Sequence, residues 1–447
     1  MKLKRRYSLL VGFFLTSSLL LSACGSSGPS SSETNKSGTN NTKENSVEKQ
    51  EKVVLDLWWS MSANNEEHKN HYAAIEKFNQ EHPNIEVKPQ SIPLEQAKDK
   101  IITSANAGNP PDVADVLNEW LVSYHRMGIL PDLTEDINKW EEKEKIPQNI
   151  WDTLSVDGKI VAVPSELGIR AFLYHEDILK AAGVTEPPKT WDELLELSAK
   201  LKEQGVAPFG ISGQSARAPQ ELIVYFWQSG TDIAHQMPDG KYRNLWAENP
   251  EELQKAVEVY KLYKTMLKDG VINKDSASWG YRELDTNFAQ GRVATTVNGP
   301  WIKNYEAEQP ESMKDVQIAA PPYNTVPATF MEVGSFATFE GSEHKKEAIT
   351  FMTWWLSEET QKLVNPGRSP NTGVVQDGKW GEGFNKLLDQ GRSFPGISMG
   401  GIIQPMIDSI QKSLLTEESP EEIALWLGEQ INNSLKENGE LSESPAK

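Results

Sequence analysis

The sequence predicts an α/β protein with enough chain for two lobes, and three observations support this class. From residue 53 onward, segments rich in β-branched and aromatic residues alternate with segments of helical periodicity. When the first 23 of the 447 residues are set aside, 424 remain, which is enough for roughly two domains with real cores. No internal repeat of fixed period occurs, which argues against a solenoid.

The N-terminus has the order of a secretory signal peptide. Four basic residues within the first six positions precede an uncharged apolar run at 9–21, which is too short to span a bilayer. The ending Leu21-Ser22-Ala23-Cys24 resembles a bacterial lipobox, whose cysteine is lipidated. Because Cys24 is the only cysteine of the chain, it has no disulfide partner within it. We therefore predict a signal peptide over residues 1–23 and a lipid on Cys24; the alternative is an exported protein with a chance cysteine.

Composition separates a tether from the folded part and argues against several partners. Residues 24–51 are almost entirely polar after the cysteine, so we predict a flexible tether there. The chain carries a net charge of −19, and removal of residues 1–23, with four basic and no acidic side chains, takes it to −23. Such acidity argues against nucleic acid and against anionic lipid on the folded surface. The 14 Trp residues suit both cores and sugar-stacking surfaces.

The first elements form a strand–helix–strand–helix–strand series. β-branched and aromatic side chains mark the strands, apolar residues at helical spacing mark the helices, and breakers such as His82-Pro83-Asn84 separate them. This order predicts right-handed βαβ units and a largely parallel sheet covered by helices. The predicted elements are a strand at 53–59, a helix at 66–80, a strand at 85–87, a helix at 94–105 and a strand at 113–117.

Start signals place the later helices. Thr190 with Glu193 is typical of a capping box, and Asn249-Pro250 and Ser419-Pro420 each supply a cap and a proline at the first helical position. Another helix is predicted to start near His344. Between these helices the sequence predicts strands at 206–211, 293–297, 316–318 and 333–339.

Several segments, taken in order, resemble one family. They are FNQEHPNI at 78–85, AGNPPDV at 107–113, GILPDLT at 128–134, DGKIVAVP at 157–164, and FAQGRVA at 288–294 with NGPW at 298–301. Their shared order and spacing resemble the extracellular solute-binding proteins of carbohydrate ABC importers, the maltose-binding-protein-like family. The resemblance runs from about residue 53 to the C-terminus.

The resemblance implies a two-lobed periplasmic-binding-protein-like fold, whose discontinuous lobes are joined by crossover strands. By this analogy one lobe holds residues 53–164 and 332–366, and the other holds 165–331 and 367–440. It also implies a non-catalytic monomer, without cofactor or metal, that holds a mono- or oligosaccharide between its lobes; the several candidate Trp residues favour an oligosaccharide. The sugar would pass to the transmembrane subunits of an ABC permease. With the lipid and the long tether, the predicted location is the outer face of the cell membrane, at a Gram-positive surface.

Sugar capture needs polar groups that replace hydration and aromatic rings that cover the C–H faces. Because ligands of open α/β sheets bind beyond the carboxyl ends of strands, the candidates are polar–aromatic pairs that follow predicted strands. After the first strand, Trp59 is expected at a rim with Ser60, while Trp58 packs inward; the alternative is that both Trp are core. Glu119 and Trp120 follow the strand at 113–117, and Trp120 could equally pack inward.

The predicted second lobe supplies further aromatic candidates. Trp301 follows the strand at 293–297, and family members that resemble this segment stack a sugar on the matching Trp. Trp279 and Tyr281 flank a glycine in a polar loop, where two large rings are hard to explain as core. Trp227 ends an apolar helix, where packing is the alternative reading.

The crossover segments supply the last candidates. Glu166 and Arg170 lie just past the predicted first crossover, where the family places polar cleft groups; the alternative is surface charge. Gly334 and Ser335 open the strand that returns to the first lobe, where the backbone can approach a ligand.

The sequence supports other functions, such as an enzyme, a metal-binding protein or a receptor for another solute, less well. Motifs of zinc proteases, α/β-hydrolases and nucleotide-binding loops are absent. A glycosidase or lyase stays an alternative, because 64 acidic residues make carboxylate pairs uninformative. His68 and His71 share a helical face, but no second cluster completes a set of metal ligands. A receptor for a non-sugar solute such as a peptide or polyamine is also open, although the Trp-rich loops favour sugar.

Overall fold

Two mixed β-sheets, each covered by helices, carry the fold. In this computed structural model the structure describes residues 52–64, 68–215, 217–375 and 378–444. The predicted signal peptide, the lipid attachment at Cys24 and the tether lie outside the described residues. Within the described ranges, no helix has both the length and the apolar character needed to cross a bilayer.

The elements follow the predicted alternation of strands and helices. The strands are β1 Val53–Trp59, β2 Ile85–Ser91, β3 Val113–Leu117, β4 Ser155–Val156, β5 Lys159–Ile160, β6 Val163–Ile169, β7 Ala171–His175, β8 Ala207–Gly210, β9 His235–Gln236, β10 Tyr242–Arg243, β11 Val293–Asn298, β12 Val316–Ala319, β13 Thr329–Ala337 and β14 Gly391–Arg392. The helices are α1 Lys69–Glu81, α2 Leu94–Asn106, α3 Asn118–Arg126, α4 Thr134–Lys139, α5 Gln148–Thr153, α6 Glu176–Ala181, α7 Trp191–Glu203, α8 Ala218–Gln228, α9 Pro250–Lys268, α10 Tyr281–Ala289, α11 Pro310–Met313, α12 Lys345–Leu356, α13 Glu358–Val364, α14 Gly378–Asn385, α15 Ile403–Leu415 and α16 Pro420–Glu437.

The first sheet has the order β14-β13-β3-β1-β2, with β6 also paired to β13. Strands β1, β2 and β3 are parallel, as the βαβ pattern predicts. The expectation of a largely parallel sheet is wrong where β13 joins these strands, because β13 runs antiparallel to both β3 and β6, although it is parallel to β14. Hydrophobic periodicity locates a strand but does not fix its direction, and these antiparallel strands are the ones that lead out of the sheet and back.

The second sheet has the order β12-β7-β11-β8. Only β8 and β11 are parallel in it, whereas β7 runs antiparallel to β11 and β12. The chain passes from the first sheet to the second between β6 and β7, with Arg170 as the single residue between them, and it returns between β12 and β13. These connections place Arg170 and the strand β13 at the junction of the two sheets.

Each sheet has a hydrophobic core of its own. The first core contains Trp59 and Trp355, and the second contains Phe226 and Trp246. We call the first sheet with its helices the first lobe and the second sheet with its helices the second lobe. The residue limits that the resemblance implies for the lobes stay a prediction.

The predicted helix starts are formed as expected. The Thr190 hydroxyl accepts the Glu193 N–H at 3.2 Å, and the Asn249 side chain accepts from the first two N–H groups after the proline. Ser419 and Glu422 form a reciprocal capping box. These caps satisfy N–H groups that have no partner within a helix, which explains why so local a signal places helix starts correctly.

Candidate functional site

A cavity of about 700 Å³ lies between elements of both lobes. The first lobe contributes the end of β3 and the start of α3, together with α2. The second lobe contributes the loop before α8, the start of α10 and the segment before α15. The lining residues are Leu94, Lys98, Asp99, Leu117, Glu119, Trp120, Gln214, Ser215, Arg217, Gly280, Tyr281, Arg282, Glu283, Met399, Gly400, Ile403 and Gln404. The cavity therefore adjoins the carboxyl end of β3, where ligands of α/β sheets are expected.

A buried ion pair lies at the junction of the two sheets. Arg170, which is only 2% exposed, places Nη2 3.3 Å from Oε2 of Glu332 on β13. Gln220 on α8 contacts both, because its Oε1 accepts from Arg170 and its Nε2 donates to Glu332 Oε2 at 3.1 Å. Burial favours the neutral acid, but Arg170 and Arg217 hold the pKa of Glu332 below its ordinary value.

Two guanidinium groups pack on aromatic rings beside this pair. The guanidinium carbon of Arg170 lies 4.4 Å from the ring centre of Trp301, and that of Arg217 lies 3.9 Å from it. Arg217 also lies 4.5 Å from the ring centre of Tyr281. We call Arg170, Trp301, Arg217 and Tyr281 the arginine–aromatic stack. Trp301 is thus engaged by two cations, each of which is stabilised by the ring electrons.

Gly299 is what allows Trp301 to take this position. An added Cβ at Gly299 would lie 2.0 Å from the six-membered ring of Trp301, a distance that no side chain can occupy. The Asn298-Gly299-Pro300 segment before it is also fixed, because the Asn298 amide donates to Asp285 at 2.7 Å. The sequence NGPW therefore builds a close turn in which the ring packs on the backbone.

Four buried polar atoms around the stack have no hydrogen-bond partner among the described residues. They are Oε2 of Glu119, Nη1 of Arg170, Nη1 of Arg217 and Nε1 of Trp301. A buried polar atom without a partner costs about 1–3 kcal/mol, more when it is charged. Of these residues, Glu119 and Arg217 line the cavity from different lobes, so the oxygen atoms of one ligand could contact both.

Burial shifts the pKa of two further carboxyl groups here. Desolvation raises the pKa of Glu119 to about 8, and the neighbouring Glu332 adds to the shift. Desolvation likewise raises the pKa of Glu221 on α8 to about 8, opposed by Arg170. Both carboxyl groups are therefore mostly protonated at pH 7 and offer an O–H donor as well as acceptors.

Replacing Glu221 with Gln should flatten the pH dependence of folding stability. Between its ordinary value near 4.5 and about 8, the folded protein keeps a proton on Glu221 that the unfolded chain releases. Stability therefore falls as pH rises through this window, by about 1.4 kcal/mol per pH unit for one group, and levels off above it. Urea denaturation from pH 5 to 8 measures the slope of unfolding free energy against pH for the wild type and for Glu221→Gln.

The exposed Glu196→Gln variant on α7 is the matched control for that measurement and should keep the wild-type slope. If the Glu221→Gln and wild-type stability curves run parallel over the whole range, the assignment of a buried, protonated Glu221 is wrong.

The structure brings five predicted site residues to this region. Glu119, Trp120 and Tyr281 line the cavity, and Arg170 and Trp301 belong to the adjacent stack. Trp120 opens α3 with only 8% of its surface exposed, so its ring meets the cavity while most of it packs inward. Trp120 therefore combines the two possibilities left open by the sequence, a residue of the site and a residue that packs inward.

Two predicted aromatic residues lie elsewhere in the second lobe. Trp227 is 2% exposed, donates to Asp232 at 2.8 Å and lies parallel to the ring of Phe330, so it is core, and its expected place in the cleft is corrected. An 11-residue helix buried at every position leaves no edge of this ring for a ligand. Trp279 is half-buried outside the cavity lining, and its carbonyl accepts the Gln214 N–H at 3.0 Å.

Trp59 and Ser335 are also buried. Trp59 is 1% exposed and packs edge-on against Trp355 and Tyr72, which corrects its expected position at a rim. Helices cover both faces of β1, so alternation along the strand sends neither Trp58 nor Trp59 to solvent. Ser335 is fully buried, and its hydroxyl donates to the Val116 carbonyl at 3.1 Å inside the sheet, so it is not available to a ligand.

Ser60, Glu166 and Gly334 lie along another part of the first sheet. Ser60 donates to Asp115 at 2.9 Å, Glu166 pairs with Arg368, and a Cβ on Gly334 would meet Glu166 at 2.8 Å. None of these three lines the large cavity. The close approach predicted at Gly334 is real, but it accommodates a neighbouring side chain.

Sequence reasoning missed Arg217, Gln220 and Glu332. Glu332 is an isolated acid in the apolar run Phe330-Met331-Glu332-Val333, and such an acid needs a buried partner, so a signal was present. Arg217 follows β8 through a polar loop. No aromatic residue lies next to it in sequence, so the criterion of polar–aromatic pairs after strands did not include it. Gln220 lies on an apolar helix and gives no signal of its own.

Of the histidine pair His68 and His71, His71 lies among aromatic rings of the first core. His71 is 6% exposed, and its ring lies 6.4 Å from Trp59 and 5.9 Å from Trp355, while His68 lies 6.0 Å from it. Burial lowers the pKa of His71 to about 3. In the part of the chain that the structure describes, no three His, Cys, Asp or Glu side chains are grouped as a metal ion would require.

Comparisons with known proteins match this chain to binding proteins. A family model described as bacterial extracellular solute-binding protein matches residues 66–362. A protein of Brucella abortus described as a binding protein is 27% identical over 293 residues, which are 64% of this chain and 69% of its own. The maltotriose-binding protein of Pyrococcus abyssi is 24% identical over 401 residues, 86% of this chain and 78% of its own.

Solved structures show the same fold. An ABC transporter solute-binding protein of Thermotoga lettingae, bound with α-D-tagatose, matches with a TM-score of 0.75 at 23% identity, and the match covers 86% of this chain and all of that one. This likeness confirms the predicted α/β fold of two lobes.

Proposed function

This chain belongs to the family of bacterial extracellular solute-binding proteins, and we propose that it captures a sugar between its two lobes for an ABC importer. The relatives and structures matched are binding proteins, and we propose the same for this chain, without catalysis. Its partners would be the transmembrane subunits of the importer, and its location would be outside the cytoplasmic membrane.

The observation that carries the proposal is the composition of the cavity wall. Trp120 comes from the first lobe and Tyr281 from the second, and Gln214, Ser215 and Gln404 supply uncharged polar groups. Rings that cover C–H faces and side chains that replace hydration are what sugar capture needs. We propose Trp120 as the stacking ring, since guanidinium groups already engage both Trp301 and Tyr281.

The lobes would close by rotation at the junction. We keep the predicted limits, 53–164 with 332–366 and 165–331 with 367–440, as the proposed rigid bodies, because the strands β6, β7 and β13 connect the two sheets there. Hinge closure around a ligand is a common response when binding groups are divided between two lobes. A monomer anchored by a lipid on Cys24 at a Gram-positive surface completes the proposal.

A panel of mono- and oligosaccharides, tested on the full chain by thermal shift, examines this function. A bound sugar should raise the melting temperature, since a ligand that binds only the folded state stabilises it. Trp120→Ala should weaken binding of that sugar by about 1–3 kcal/mol, because one stacking face is lost.

Trp279→Ala is the matched control, since it removes a half-buried indole outside the cavity lining and should leave the affinity unchanged. Conversion of a bound sugar into product would contradict the proposal, as would a panel in which no sugar raises the melting temperature.

A further inference from the structure

Arg217 is a cation without a direct ion-pair partner in the described ranges. It lines the cavity, yet its side chain makes no hydrogen bond or ion pair with any residue in the described ranges, and its Nη1 atom is sealed from water without a partner. A charged donor in such a place costs free energy unless something accepts from it. The cost would be removed by a ligand that brings acceptor atoms.

The position of Arg217 is fixed by rings and not by carboxylates. Its guanidinium carbon lies 3.9 Å from the ring centre of Trp301 and 4.5 Å from that of Tyr281. Packing on rings engages the faces of the planar group and uses none of its N–H donors, so Nη1 is left without an acceptor. A guanidinium without acceptors matches a carboxylate through two parallel hydrogen bonds, whereas a single sugar hydroxyl does not offer this geometry.

The acids near Arg217 are engaged with other groups. Glu332 pairs with Arg170 and accepts from Gln220. Asp285 accepts from the Asn298 amide at 2.7 Å, and Glu283 accepts from the Gly280 N–H at 3.0 Å. The charge of Arg217 favours the ionised forms of Glu332, Asp285 and Glu221, but none of these carboxylates forms an ion pair with its guanidinium.

The opposite wall of the cavity adds a second cation. Lys98 on α2 of the first lobe lines the same cavity, next to Glu119 and Asp99. Burial raises the pKa of Glu119 to about 8, so that acid is mostly uncharged at pH 7, whereas Asp99 partly offsets the charge of Lys98. A negative group in the cavity would still meet a cation from each lobe.

We propose that the sugar captured by this chain carries a carboxylate, as a uronic acid does, and that Arg217 binds this carboxylate through paired hydrogen bonds. The inference rests on the proposed function, since it names the chemical class of the sugar in the same cavity. Trp301 and Tyr281 then position the guanidinium, and the exposed part of Trp120 contacts the ring of the sugar.

Matched sugars test the proposal on the unmodified protein. Oligomers of galacturonic acid and of glucuronic acid are compared by calorimetry with their methyl esters and with the neutral galactose and glucose oligomers. The acids should bind at least about tenfold tighter than the esters, the size expected for hydrogen bonds to a charged group. The advantage should shrink as salt is raised.

Variants assign the carboxylate to its residue. Arg217→Gln should remove the preference for the acid over its ester, while Arg292→Gln, an exposed arginine on the same lobe, should keep it. An acid preference that survives Arg217→Gln would overturn the role of Arg217. The comparison of acid with ester on the wild-type chain needs no variant and so is independent of folding.

The outcomes separate this inference from the proposed function. If neutral oligomers and esters bind as tightly as the acids, the carboxylate proposal is wrong, while sugar capture stands. If neither acidic nor neutral sugars bind, the proposed function itself is wrong.

Discussion

Replacing Arg170 with Met should lower the free energy of unfolding by about 3–5 kcal/mol. The change leaves the Glu332 carboxylate, which is 13% exposed, without its cation, and it leaves the Gln220 carbonyl without a donor. Removing one member of a buried pair costs this much, because the remaining charge stays desolvated. Guanidinium denaturation of the sugar-free chain, followed by tryptophan fluorescence, measures the loss.

Two control variants make the result specific. Arg170→Met combined with Glu332→Met should recover most of the stability, since it removes the uncompensated charge as well. Lys139→Met, which breaks an exposed pair with Glu135, should cost less than about 1 kcal/mol. A cost at Arg170 no larger than that at Lys139 would show that the junction does not depend on this ion pair.

Replacing Trp59 with Ala should lower the free energy of unfolding by about 3–5 kcal/mol, the range for large aromatic residues in a core. Trp59 is 1% exposed and packs on Tyr72 at 5.1 Å and on Trp355 at 6.1 Å between ring centres, so its loss leaves a cavity in the first lobe. Denaturant titration gives the stability, and calorimetry on the folded protein gives the affinity for sugar.

Trp279→Ala again serves as the comparison, because a half-buried indole should cost clearly less. The affinity of Trp59→Ala for its sugar should equal that of the wild type under conditions where both are folded. A large loss of affinity with little loss of stability would return Trp59 to the binding site, as the sequence first suggested.

Local signals predicted the fold well. The strand β3 has the predicted bounds, and α7 and α16 begin where their caps place them, because capping and periodicity involve only neighbours in sequence. Strand direction in the sheets was not predictable in this way. Whether β13 runs with or against β3 depends on the route of the chain between them.

The site was predicted in part for the same reason. Residues after β3, such as Glu119 and Trp120, were found because the rule for strand ends is local. For Trp59, alternation showed that neighbouring rings point to opposite faces, but it could not show that both faces are covered. The contacts of Trp301 with Arg170 and Arg217 join distant parts of the chain, and no pattern in one sequence reveals them.

Arg170, the single residue that links β6 to β7, contributes to the structure through both its backbone and its side chain. The backbone of Arg170 joins the sheets, and its side chain holds both Glu332 on β13 and the ring of Trp301 beside the cavity. A substitution of this side chain would therefore disturb the junction of the sheets and the packing of Trp301 at once. If the proposed function holds, variation at Arg217 or Tyr281 would alter the cavity lining alone, whereas variation at Arg170 would also alter the connection between the lobes.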